Sequence, residues 1–130
     1  MGQVVLQVGQ VWNGMVPFSD DDKKAKHRPV VILGWAGLNV TRGDAHILVV
    51  PSSTFEGDPA KARLSDLKLK DWRVAGLSAG SFIQCARLWS LAPAAIDFTS
   101  GLRGSLDAAD LHAVMSEVSK LFSVSGFATV

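Results

Sequence analysis

Two apolar stretches of the chain carry, at one end each, polar groups that suit the binding of an anion. They span residues 27–33 (HRPVVIL) and 47–54 (ILVVPSST). The first begins with the guanidinium of Arg28, whose fork of N–H donors matches phosphate oxygens. The second ends in three short hydroxyl donors, Ser52, Ser53 and Thr54. If the two stretches are neighbouring strands, their ends predict a phosphate site that needs neither metal nor cofactor.

Each half of this predicted site also has a simpler interpretation. Arg28 is preceded by further potential cations, Lys24, Lys26 and His27. The acids at 20–22 can, however, neutralise the lysines on a solvated loop. Hydroxyl side chains at strand ends commonly bond their own backbone in turns. The residues alone leave these alternatives open, although Arg28 is held better than the lysines because a rigid strand follows it.

Proton transfer near neutral pH would most easily come from a histidine, and the chain has three, His27, His46 and His112. His27 adjoins Arg28, but neighbours on a strand face opposite ways. Three scattered histidines and a single cysteine, Cys85, assemble no metal cage by their spacing, so we expect no metal and no cofactor. We expect Cys85 to be a buried, inert thiol.

Composition limits the class of protein. With 130 residues, 48% of them hydrophobic, the chain fits a single domain spanning residues 1–130. A net charge of +1 gives no global field that attracts nucleic acid or lipid, so any contact with a polyanion must be local. No apolar run approaches the ~20 residues of a membrane span. The single cysteine fits a reducing compartment, and we expect a cytoplasmic protein without a membrane partner.

Short apolar runs predict a mainly β protein. We expect strands at 11–16, 30–33, 47–50 and 67–70, and a further strand at 81–91 with a bulge or bend near Cys85. Charged residues at 17–26 and glycines at 34–44 predict loops. Together these patterns predict five or six short strands in one small β-barrel.

The last segment of the chain changes its hydrophobic period and predicts the one helix. Its apolar residues recur at helical spacing: Leu111, Val114, Met115, Val118, Leu121 and Phe122. Asp107 is the expected N-cap, with Asp110 three residues on, and Gly126 lies past the expected end. The predicted fold is therefore mainly β with a C-terminal α-helix that closes or covers the barrel.

Several blocks, taken in order, resemble the MazF/PemK family of toxins. They are residues 9–12 (GQVW), 17–19 (PFS), 27–33 and 47–54, followed by 71–72 (DW), 76–77 (GL) and 81–91 (SFIQCARLWSL). The resemblance extends from residue 9 to 123. It implies an SH3-like small β-barrel and the toxin of a type II toxin-antitoxin pair, a homodimer that cleaves single-stranded RNA without metal and is silenced by its cognate antitoxin.

The resemblance also assigns roles to residues. Arg28 matches the family's catalytic arginine, and its catalytic threonine falls on Ser53, or on Ser52 or Thr54 if the register slips by one. In the mechanism we expect, the substrate's 2′-hydroxyl attacks the adjacent phosphate while Arg28 and Ser53 stabilise the developing charge. His27 is a candidate for proton transfer, and Lys24, Lys26, Ser52, Thr54 and Gln84 are candidates for RNA binding.

One departure from the family keeps alternatives open. Some members carry a basic residue and then an acid two positions later, where this chain has Gln84 and Ala86. A degenerate relative that binds antitoxin but has lost catalysis would show this change. A second alternative is a protein like the CcdB toxins, which share the barrel and act by binding a protein such as DNA gyrase. The Arg28 and Ser53 pair favours the nuclease.

Overall fold

The computed structural model describes residues 6–18, 21–36, 46–54 and 65–122, with side chains for residues 6–16, 27–35, 46–53 and 65–122. The described strands are β1 Gln10–Phe18, β2 Asp21–Ala36, β3 His46–Thr54, β4 Asp66–Lys68, β5 Ser81–Gln84, β6 Trp89–Leu91 and β7 Gly104–Ser105. A 3-10 helix, Pro93–Ala95, follows β6, and the C-terminal helix α1 spans Ala108–Leu121.

The strands form one antiparallel sheet that curls into a half-barrel, in the order β4-β5-β3-β2-β1-β7. β3 is its centre, because it pairs with β2, β5 and β6. The mainly β fold with a C-terminal helix agrees with the prediction. Residues 81–91 contain strands, as expected, and both of these strands pair with β3.

Alternation along the strands divides the apolar side chains between two clusters. One holds Val31, Val50 and Ile83 with Val114 of α1, and the other holds Val30, Ile32 and Val49 with Trp12 and Ile96. Because successive strand residues face opposite ways, Val30 and Val31 supply different clusters. The central strands are therefore apolar on both faces, which explains their unbroken valine and isoleucine runs.

The helix begins where the sequence predicts. The side chain of Asp107 accepts a hydrogen bond from the Ala109 N–H, as an N-cap does. Val114 is fully buried against the sheet, whereas Met115, Leu121 and Phe122 of the same apolar stripe are exposed. Gly126 lies outside the described residues.

Two expectations about the strands were wrong. Residues 17–26 were expected to form a loop, but β1 and β2 continue through most of this segment as a long hairpin in which Val16 pairs with Lys26. The backbone ladder supplies the hydrogen bonds there, and the pattern of charges does not report them. The described part of the chain also has seven strands rather than five or six.

The predicted bend at Cys85 is larger than a simple bulge. Ile83 pairs with Ser52 and Trp89 pairs with Val49, so an advance of six positions on one side matches an advance of only three along β3. A turn at 85–86 takes up the difference and splits the segment into β5 and β6.

Among the described residues, no helix is long and apolar enough to cross a membrane.

Candidate active site

The predicted phosphate-binding groups lie at one end of the ladder between β2 and β3. The last residues paired in this ladder are Val30 and Pro51. Arg28 and Ser53 each lie two residues beyond that pair. Because the strands are antiparallel, the start of one apolar run and the end of the other meet at the same end of the ladder.

The alternation of side chains puts Arg28 and Ser53 on one face. Val30 and Pro51 stand opposite each other and are fully buried. Arg28 and Ser53 share the face of this pair, and both are half-buried. A guanidinium and a hydroxyl thus stand at the rim of a buried apolar face, where solvent competes less than it does for a free side chain. This arrangement can bind an anion and stabilise charge that develops on it.

The three consecutive hydroxyls are not equivalent. Ser52 is only 5% exposed and pairs with Ile83. Its side chain lies on the face of β3 opposite to that of Ser53, the face that also carries Val50 and packs in the cluster with Val31. Ser53 pairs with Phe82 on the face of Arg28. Thr54 pairs with Ser81 through its backbone, and its side chain lies outside the described residues. Ser53 is therefore the described hydroxyl that is best placed beside Arg28.

Gln84 lies on β5 two residues after Phe82, and so on the same face as Phe82 and Ser53. It pairs with Asp66 of β4. Its side chain is 5% exposed, and its Oε1 has no hydrogen-bond partner among the described residues. Burial is costly for an amide oxygen without a partner and far costlier for a charge. Gln84 is therefore a buried polar position behind the rim, and its expected contact with RNA stays a prediction.

His27 lies on the other side of β2 from Arg28. Its exposed side chain lines an open cleft of about 710 Å³ together with Met15 and the segment 92–99. In this cleft Asp97 accepts hydrogen bonds from the hydroxyl and the N–H of Ser100. These bonds lower the pKa of Asp97, and smaller contributions, which include the charge of His27, act with them. The structure therefore does not bring His27 together with Arg28 and Ser53.

The remaining predicted basic residues belong to the hairpin. Lys26 pairs with Val16 through the backbone, and Lys24 also lies within β2. Their side chains lie outside the described residues. Their expected contacts with RNA stay predictions.

Cys85 has no features of a nucleophile. Its side chain is fully buried, and burial, reinforced by the charges of Glu117 and Asp66, raises the pKa of the thiol to about 12. It is therefore a thiol rather than a thiolate at neutral pH. Among the residues that the structure describes, no three His, Cys, Asp or Glu side chains are grouped so that they could hold a metal ion.

Sequence reasoning missed two residues on the face of Arg28 and Ser53. Phe82 pairs with Ser53 on one side and with Lys68 on the other. The alternation at 67–70 predicted the strand that carries Lys68 but not its partner. Only the pairing of β4, β5 and β3 brings these residues into one row.

The fold is that of MazF toxins. The chain superposes on MazF from Deinococcus radiodurans with a TM-score of 0.62 at 19% identity, covering 94% of this chain and 100% of that one. An endoribonuclease in complex with its cognate antitoxin, from mycobacterial species, gives a TM-score of 0.60 at 11% identity, covering 93% and 98%. The Mycobacterium tuberculosis toxin MazF-mt6 gives 0.57 at 19% identity, covering 89% and 98%. No protein-family model matches the sequence, and neither does any curated protein.

Proposed function

We propose that this protein is the toxin of a type II toxin-antitoxin pair and that it cleaves single-stranded RNA without a metal ion. The observation that carries the proposal is the placement of Arg28 and Ser53, each two residues beyond the last pair of the β2–β3 ladder and on the same face by strand alternation. A fold similar to that of MazF toxins and of a mycobacterial protein described as an endoribonuclease supports it. Arg28 and Ser53 supply the two functions that such cleavage requires of the protein, which are anion binding and charge stabilisation.

The reaction uses the substrate's own nucleophile. The 2′-oxygen forms a bond to phosphorus as its proton passes to solvent water, the bond between phosphorus and the 5′-oxygen breaks, and the 5′-oxygen takes up a proton from solvent water. The products are a 2′,3′-cyclic phosphate and a 5′-hydroxyl. Arg28 neutralises the charge that grows on the phosphoryl oxygens, and the Ser53 hydroxyl donates a hydrogen bond to one of them. His27 faces the cleft beyond β2, so the proposal gives it no part in proton transfer.

The absence of charge at Gln84 and Ala86 is compatible with this mechanism. Gln84 is buried behind the rim, and Ala86 lies exposed in the turn after β5. Neither position is required for Arg28 and Ser53 to contact one phosphate. Catalysis consequently rests on those two residues.

The same proposal includes partners and location. One neighbour is described as an endoribonuclease with its cognate antitoxin, and others are MazE-MazF complexes from Deinococcus radiodurans. We propose a cognate antitoxin, a homodimer and a cytoplasmic location, where messenger RNA is present. Exposed apolar side chains offer surface for protein partners, among them Trp35, Leu48, Met115 and Phe122.

A cleavage assay in EDTA tests the proposal. Purified protein is incubated with a long messenger RNA, the new 5′ ends are mapped, and their end groups are determined. We expect discrete cuts that leave 5′-hydroxyls, and no cut where the nucleotide before the scissile bond carries a 2′-deoxy sugar. Cleavage of the deoxy substrate would exclude attack by the 2′-hydroxyl. Gyrase inhibition without cleavage would favour the CcdB-like alternative, and antitoxin binding without cleavage would favour a degenerate toxin.

A further inference from the structure

Four side chains from four strands form one row across the sheet. Phe82 pairs with Ser53 on β3 and with Lys68 on β4, and paired residues present their side chains on the same face. On the far side of Ser53, Arg28 extends the row on β2. The order across the sheet is therefore Arg28, Ser53, Phe82 and Lys68.

This row is more accessible to solvent than the row behind it. Arg28, Ser53 and Phe82 are half-buried and Lys68 is exposed. The next row on the same face contains Val30 and Pro51, both fully buried, Gln84, which is 5% exposed, and the half-buried Asp66, which pairs with Gln84. A ligand can therefore lie along the first row, whereas the buried side chains on β2, β3 and β5 offer it little surface in the row behind.

The length of the row and the types of its side chains suit a single-stranded nucleic acid. Strands lie about 4.8 Å apart, so the backbones of Arg28 and Lys68 are separated by about 14 Å, a length that a few nucleotides cover. Cations stand at both ends, and an aromatic ring lies between them. Nonspecific single-strand binding combines these two elements, phosphate-binding cations and an aromatic face on which bases stack.

We propose that RNA crosses the strands along this row. The scissile phosphate lies against Arg28 and Ser53, a neighbouring base stacks on the ring of Phe82, and a further phosphate contacts Lys68. This inference rests on the proposed function and adds two binding residues and a direction for the substrate.

Binding measurements with a substrate that resists cleavage test the inference. The probe is a fluorescein-labelled RNA octamer that spans the strongest mapped cut and carries one 2′-deoxy sugar at that cut. We compare the wild type with Lys68→Gln and Lys70→Gln by fluorescence anisotropy over a range of salt concentrations. Lys70→Gln is the matched control, because it removes the same charge from an exposed lysine that lies beyond the end of β4.

Lys68→Gln is expected to make the negative slope of the log association constant against log salt shallower by about 0.7, the value for one phosphate contact on a single strand. Lys70→Gln is expected to leave the slope unchanged. Shortening the octamer from the end that extends toward β4 should weaken wild-type binding and make Lys68→Gln indistinguishable from wild type. Equal slopes for Lys68→Gln and Lys70→Gln, or an effect of Lys68→Gln that survives shortening from either end, would overturn the inference.

Phe82 is tested by keeping or removing its aromatic face. Phe82→Leu should weaken octamer binding by about 5- to 150-fold, the range for loss of one stacked base, whereas Phe82→Tyr should retain binding. Circular dichroism and thermal unfolding establish that both variants fold. Equal binding by a folded Phe82→Leu variant would overturn the inference while RNA cleavage by the wild type still stood. A wild-type protein that neither binds nor cuts RNA would overturn the proposed function as well.

Discussion

The carboxylate of Asp110 on α1 accepts a hydrogen bond from the main-chain N–H of Asp71, 39 residues earlier in the chain, at 2.9 Å. Its other oxygen accepts from the N–H of Lys70 at 3.0 Å. Asp110 is 4% exposed. One buried carboxylate thus satisfies two consecutive backbone donors and fastens the helix to the segment after β4.

Replacement of Asp110 by Asn should destabilise the protein by about 1.5–3 kcal/mol, because the amide nitrogen cannot accept and leaves one backbone donor unpaired. Chemical denaturation measures this change. Asp107→Asn is the matched control on the same helix, because Asp107 is exposed and asparagine is an equally good N-cap. Equal losses for the two variants would contradict the role of Asp110.

Close approach of two backbone segments predicts an intolerance of side chains at Gly104. A Cβ added there would stand 2.3 Å from the carbonyl oxygen of Val74, where the backbone cannot yield easily. We expect Gly104→Ala to cost about 1–3 kcal/mol or more in the free energy of unfolding. Gly34→Ala should cost much less, because a Cβ at Gly34 would meet nothing within 4 Å. A small effect at Gly104 would show that the contact of the two segments is wrong.

Burial of Cys85 predicts a loss of stability in alkali. Its pKa is raised to about 12 in the folded protein from an ordinary value of 9.0. Between these values the unfolded chain releases the thiol proton and the folded protein retains it, so the free energy of unfolding falls by about 1.4 kcal/mol for each pH unit. Below pH 9 this group has no effect.

Denaturation of the wild type and Cys85→Ala at several pH values from about 8 to 11 isolates this contribution, since other groups titrate alike in both proteins. The stability of the wild type should fall more steeply with pH than that of the variant. Parallel curves would mean that the thiol is not held in its neutral form.

The hydroxyl of Ser53 at the end of β3 should contribute directly to cleavage. Ser53→Ala should slow cleavage on the order of 100-fold, because it removes one donor to the phosphoryl oxygen, and Ser53→Thr should retain activity. Ser90→Ala serves as the control, since Ser90 is exposed on β6. Full activity of Ser53→Ala would exclude this hydroxyl from the mechanism.

Local patterns in the sequence predicted the helix and the interiors of the strands. Asp107 and the apolar stripe that follows it act within a few residues, so their signal can be read from one stretch of chain. The extended hairpin escaped prediction because its ladder at Val16 and Lys26 depends on pairing between strands. The role of Asp110 escaped for the same reason, since its partners lie far away in the sequence.

The candidate site was predictable only in part. The apolar runs pointed to Arg28 and to a group of three hydroxyls, and the structure distinguishes Ser53 from the buried Ser52. Phe82 and Lys68 join the row only through the registers of β5 and β4. Such registers are properties of the folded sheet, and periodicity within a single strand does not contain them.

The rate at which Arg28→Ala cleaves RNA in EDTA tests the central claim most directly. Single-turnover cleavage of one mapped substrate is compared among the wild type, Arg28→Ala and Arg73→Ala. The last variant is the control, because it removes the same charge from an exposed turn, where the Arg73 guanidinium lies over the ring of Trp72. The wild type and Arg73→Ala should cleave at similar rates, and Arg28→Ala should be slower on the order of 100-fold or more. Cleavage by Arg28→Ala at the wild-type rate, or cleavage by the wild type only after a metal is added, would contradict the account.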